Sequence, residues 1–193
     1  MRSPLDLFQD IADNMGGREK QHWGRVMSTF HARKADFHAV KRLARQVLEE
    51  NGIFKPPVIA AELAESYGLE VFESEFNEEY AHIAGFIDFG ENFILVNADD
   101  SLHRKNFTVA HELGHYLLGH NAENGYTVLL RDPDAMVKTP LEQEANCFAA
   151  NVLVPEPFLL EYLDNYPYIT NQQLSKAFGV SADVVRIRRL YLK

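Results

Sequence analysis

The chain has 193 residues and a mass of 22.0 kDa, room for one compact domain with a small appendage. With 46% hydrophobic and 24% charged residues, its composition excludes a disordered or fibrous chain. A net charge of −9 excludes nucleic-acid binding by the surface as a whole, and the lone Cys147 excludes an intrachain disulfide or a four-cysteine zinc site.

In chain order, Ser3-Pro4-Leu5-Asp6 reads as a helix start, with serine as cap and proline at the first helical position. It lacks the apolar core of a secretion signal, and no run in the chain reaches the ~18–20 apolar residues of a membrane span, so a cytoplasmic protein is expected. Leu5, Phe8, Ile11 and Met15 continue that helix, and a basic helical stretch follows from about Arg18 to Phe30. Residues 1–38 are therefore expected to form an N-terminal helical extension. The spacing of Phe37, Val40, Leu43, Ala44 and Val47 predicts a helix over 36–51, stopped by Asn51-Gly52. After Pro56-Pro57 comes a second helix from Val58 to Tyr67, then a short strand at 69–72. Ile83–Asp88 and Phe93–Asn97 flank Phe89-Gly90-Glu91-Asn92 and predict a β-hairpin.

A long helix follows, capped by Asp99-Asp100-Ser101 and ended by Gly119, with Phe107, Ala110, Leu113 and Leu117 as its buried stripe. Residues 120–138 show no period and are expected to be a long loop. Thr139-Pro140-Leu141-Glu142 starts another helix that ends at Val154-Pro155-Glu156-Pro157. The tail, 157–193, reads as a helix followed by two short helices around Phe178-Gly179-Val180-Ser181, a pattern that looks like a helix-turn-helix. The order of elements points to an α+β fold, with a small antiparallel sheet packed on the long helix.

The chemistry begins with His111-Glu112-Leu113-Gly114-His115. On a helix, residues four apart differ by about 40° in direction, so both imidazoles leave the same face and can share one Zn²⁺. Glu112 is spaced to stand beside a zinc-bound water as general base. Gly114 costs a helix interior about 1 kcal/mol relative to alanine, which suggests that another element approaches closely there. The alternative is an ordinary amphipathic helix with two surface histidines.

Tetrahedral zinc needs one more protein ligand. His120 stands nine residues after His111, where the metzincin spacing would require the third histidine at ten. On the second helix, Glu142 and Glu144 lie on opposite flanks of the stripe formed by Leu141, Ala145, Phe148, Ala149 and Val152. Asn146 shares the Glu142 edge one turn on and could orient a zinc-bound histidine. Glu142 has an equal alternative, because Thr139-x-x-Glu142 is a capping box. Glu144 reads as a solvated helix charge.

The first motif, preceded by Phe107-Thr108-Val109-Ala110, resembles the zinc helix of the ImmA/IrrE metallo-endopeptidases. Glu142-Gln143-Glu144-Ala145-Asn146-Cys147-Phe148-Ala149-Ala150, followed by Leu153-Val154-Pro155, resembles that family's second signature. The resemblance covers about residues 39–156, the expected metallopeptidase core. It implies a zincin-like fold and a zinc ion held by His111, His115 and Glu142. It also implies Glu112 as catalytic base, and substrates that are helix-turn-helix repressors or similar regulators.

Zincins commonly hold substrate along an edge strand beside the metal, as in β-augmentation. The expected edge is Phe93–Asn97, with Leu95, Val96 and Asn97 as substrate-binding residues. Tyr80, His82, His103 and Tyr126 are candidates for stabilising an oxyanion, and Cys147 is a buried filler. From Glu49 to Asp100 there are thirteen acidic residues and one basic residue, Lys55, a bias that favours a basic protein partner. The expected function is a zinc endopeptidase making a specific cut in a cytoplasmic regulatory protein, with no membrane association and no direct DNA binding. The rival readings are a catalytically silent metal-binding module and a DNA-binding regulator acting through the tail.

Overall fold

The computed structural model describes residues 34–120, 126–130 and 139–192; the two helices expected within residues 1–30 lie outside them. Seven helices and four strands are described: α1 (Phe37–Glu50), α2 (Ala60–Ser66), β1 (Glu70–Ser74), β2 (Ile83–Asp88), β3 (Phe93–Asn97), α3 (Leu102–Leu117), β4 (Tyr126–Leu130), α4 (Pro140–Leu153), α5 (Glu156–Asn165), α6 (Asn171–Phe178) and α7 (Ala182–Leu190). The fold is α+β. None of the described helices is long and apolar enough to cross a membrane.

Local chemistry sets the boundaries. Asp36 caps α1 by accepting from the Ala39 amide, Ser101 caps α3 through Arg104, and Thr139 caps α4 through the Glu142 amide. α2 has no side-chain cap of its own. Asn106 of α3 substitutes, accepting from the Ala60 amide at 2.8 Å and donating to the Val58 carbonyl at 3.0 Å. The β2–β3 turn is closed by Asp88 Oδ1, which accepts from the Gly90 and Glu91 amides at 2.8 and 2.9 Å.

The strand order is β1-β3-β2-β4. β2 pairs antiparallel with both β3 and β4, whereas β1 lies parallel to β3. The sheet is thus mixed, because the chain passes from β1 through the 75–82 segment and β2 before returning alongside it as β3. Three expectations change. The sheet, expected to be antiparallel, is mixed because of the β1–β3 pair. The region 120–138 contains a strand, β4, within what reads as a featureless loop. β3 is not an edge: it bonds β1 on one side and β2 on the other, and Leu95, Val96 and Asn97 are all buried. Their backbone is already used in the ladder, so they cannot receive an extended peptide. Asn97 instead holds the end of the strand, accepting from the Asp99 amide at 3.0 Å.

The sheet separates two apolar clusters. Ile87, Ile94 and Val96 face the helices and join a core running through Val109, Ala110 and Leu113 of α3 and Phe148, Ala149 and Val152 of α4. That core continues into Leu159, Leu174, Phe178, Val180 and Val185, so the C-terminal helices are packed into it. On the other face, Ile83, Phe86, Phe93 and Leu95 are covered by Phe76 and Tyr80. With the sheet and α2 on some sides and α4 on another, α3 buries every residue from Thr108 to His115.

Candidate metal centre

Two helices meet at the site, and a glycine lets them. A Cβ on Gly114 of α3 would stand 3.0 Å from Phe148 Cδ1 and 3.2 Å from Phe148 Cβ of α4, so any larger residue would push the helices apart by a few tenths of an ångström. It brings the first turn of α4 over the imidazoles of α3. His111 Nε2 and His115 Nε2 are 3.0 Å apart, and the Glu142 carboxylate stands 3.2 Å from the first and 3.3 Å from the second. A tetrahedral zinc 2.0–2.1 Å from its ligands separates them by about 3.3–3.4 Å. The donor set and spacing therefore fit such an ion. Among the described residues, His111, His115 and Glu142 form the group able to share one.

Thr139 still caps α4 by accepting from the Glu142 amide at 3.2 Å, but the Glu142 side chain is turned to the histidines. Its buried Oε2 faces His111 Nε2 at 3.2 Å without a well-aligned hydrogen bond among the described residues, a place that a cation would satisfy. Burial would raise the Glu142 pKa, yet His111 and His115 hold it well below the usual carboxylate range. Burial would likewise depress His111, but Glu142, Glu112 and Asn146 outweigh it and raise the imidazole's pKa. The pocket favours positive charge, whether a proton or a metal supplies it.

Each histidine is steadied from behind. His111 Nδ1 lies 3.2 Å from Asn146 Oδ1. His115 Nδ1 lies 3.2 Å from His120 Nδ1, and His120 Nε2 lies 2.9 Å from Glu144 Oε2. His120 is thus on the far side of His115 from Glu142. Glu144 is not solvated: it is 1% exposed, and its Oε1 accepts from the Asp36 amide at 2.7 Å.

Glu112 is fully buried beside the cluster. Its Oε2 accepts from Thr127 Oγ1 of β4 at 2.7 Å, while Oε1 has no partner among the described residues. Burial raises its pKa, against the lowering influence of His111, His115 and Thr127. Thr127 is the residue that sequence reasoning missed. The signal was Tyr126-Thr127-Val128-Leu129-Leu130, five consecutive residues with strand character.

The remaining candidates have other surroundings or lie outside the described residues. Tyr80 is buried in the cluster on the opposite face of the sheet, and His82 and His103 are exposed. Tyr126 opens β4, and its side chain lies outside the described residues. Cys147 is partly buried, and burial pushes its thiol above the ordinary value, the opposite of an activated nucleophile.

Comparison with known proteins adds three likenesses. The chain is 30% identical over 90 residues to Metallopeptidase ImmA of Bacillus subtilis, covering 47% of this chain and 52% of that protein. It is 38% identical over 87 residues to Radiation response metalloprotease IrrE of Deinococcus radiodurans, covering 42% of this chain and 25% of that protein. The chain therefore spans about half the length of one relative and a quarter of the other. A solved structure, a Mycobacterium tuberculosis transcriptional regulator, shares the fold with a TM-score of 0.57 at 18% identity, over 78% of this chain and 46% of that one. Residues 64–189 match the peptidase M78 family, described as the IrrE N-terminal-like domain; that span contains α3, β4 and α4, and the chain belongs to this family.

Proposed function

We propose that the chain is a zinc-dependent endopeptidase that makes a specific cut in a cytoplasmic regulatory protein. The observation that carries the reading is the convergence of His111, His115 and Glu142 donors at 3.0–3.3 Å beside a buried glutamate with one oxygen unpartnered among the described residues. The family membership supports the same reading. His111 Nε2, His115 Nε2 and Glu142 would hold the ion, with Asn146 orienting His111. Bound zinc supplies Lewis acidity, lowering the pKa of water to about 7 and polarising a peptide carbonyl.

The protein's own groups do the rest. Thr127 holds Glu112 Oε2, leaving Oε1 to accept the proton of the attacking water and pass it to the departing amine. Burial keeps bulk water from competing for that carboxylate. β4 carries Thr127 and, among the described residues, pairs with β2 on one side only, so its other edge is the proposed place for an extended substrate backbone. The acidic residues between Glu49 and Asp100 are exposed except Asp88 and Asp100. They favour a basic partner, such as a DNA-binding repressor.

Glu112→Gln tests the reading. The variant is expected to bind zinc and fold as the parent does, to lose cleavage by about 10²–10⁴-fold, and to retain its uncut partner during purification from the native cell. A cleavage rate equal to the parent's would refute the assignment of Glu112.

A further inference from the structure

The metal reading explains His111, His115, Glu142, Asn146 and Glu112, but it leaves two buried polar side chains without a task. His120 and Glu144 are 4% and 1% exposed. Burying an imidazole and a carboxylate is costly unless each is hydrogen-bonded, and both are. The chain reaches this arrangement through the end of α3. Gly119 takes a left-handed φ of 68°, the His120 amide bonds the His115 carbonyl at 2.9 Å, and the Gly119 amide bonds the Tyr116 carbonyl at 3.1 Å. This is a Schellman closure. It turns the chain back on the helix and places the His120 ring against the His115 ring, with centroids 5.2 Å apart.

The atoms involved dictate the proton positions. His115 directs Nε2 toward His111 and Glu142, so as a metal ligand it must carry its ring proton on Nδ1. His115 Nδ1 is 3.2 Å from His120 Nδ1, and two protonated nitrogens cannot share that contact, so His120 accepts there. His120 is then protonated on Nε2, which donates to Glu144 Oε2 at 2.9 Å. Glu144 Oε1 accepts from the Asp36 amide at 2.7 Å, next to the cap of α1. Each contact in the chain is compatible with one direction of donation only.

We propose that His120 and Glu144 are positioning residues for the metal. Together they fix His115 in the tautomer and ring orientation that present Nε2, and they anchor that ligand to the start of α1. The proposal rests on the reading of His115 as a metal ligand. Outer partners of metal-bound histidines typically contribute 10–100-fold to metal affinity.

The test is zinc affinity, measured by competition with a chromophoric chelator, alongside the thermal midpoint of the metal-free protein. His120→Leu removes the acceptor and is expected to weaken zinc binding about 10–100-fold. His120→Gln keeps one acceptor and one donor and should restore most of that loss. Glu144→Gln can donate to His120 and so reverse its tautomer, setting two N–H groups against each other; about a tenfold loss is expected. If His120→Leu does not fold without metal, the other two variants decide the matter. Parental zinc affinity in His120→Leu or Glu144→Gln, with only the thermal midpoint lowered, would mean that the pair merely fills the interior, and would overturn the proposal. A parent protein that binds no zinc would overturn the metal reading itself, and the proposal with it.

Discussion

The two oxygens of Glu112 have different surroundings, and its assignment as base depends on that difference. Oε2 is held by Thr127 at 2.7 Å; Oε1 is unpartnered among the described residues. A charge-assisted hydrogen bond of this kind contributes about 1.5–3 kcal/mol. Thr127→Val keeps the shape but loses the donor, so kcat should fall about tenfold or more while KM stays near the parent's. Thr127→Ser should retain the rate. Equal kcat in the valine variant would show that Thr127 does not orient the base. The same scale separates two carboxylates two residues apart. Glu142 faces the paired Nε2 atoms, whereas Glu144 faces the back of the cluster through His120.

At the scale of elements, the site is the crossing of α3 and α4. Gly114 fits under Phe148, which is fully buried. Gly114→Ala gains about 1 kcal/mol of helix propensity but overpacks the crossing at a cost of about 1–3 kcal/mol. The expected result is a net loss of about 1 kcal/mol in urea unfolding of the metal-free protein; a more stable variant would mean that the crossing has slack. The helices and the β2–β3 hairpin were legible because their apolar spacing and caps are local. The mixed pairing was not, since nothing within Glu70–Ser74 says whether its partner runs parallel. β4 was hidden by a five-residue length inside an aperiodic region, and the mistaken edge at β3 followed from the unseen parallel pairing with β1. His120 was visible only as a residue at the wrong spacing for a third ligand. The turn at Gly119 that carries it behind His115 is a three-dimensional fact, and so is the burial of Glu144.

Across the whole molecule, charge and core divide the work. The exposed acidic residues between Glu49 and Asp99 lie on α1, α2, β1 and the loops of the sheet, while the basic residues of the tail are partly consumed by structure. Arg188 is buried and donates Nε to the Val154 carbonyl at 3.0 Å, and Arg186 and Arg189 meet Asp183 and Asn171. The tail's helices close the core behind α4, which places the candidate metal site between well-packed elements rather than on a loop. The central claim is that one ion sits between His111, His115 and Glu142. Anomalous diffraction at the zinc edge, from crystals grown with zinc, tests it most directly. A single peak is expected about 2.0–2.2 Å from both Nε2 atoms and a Glu142 oxygen. A peak bound by His120 and Glu144, or none between the three named residues, would contradict it.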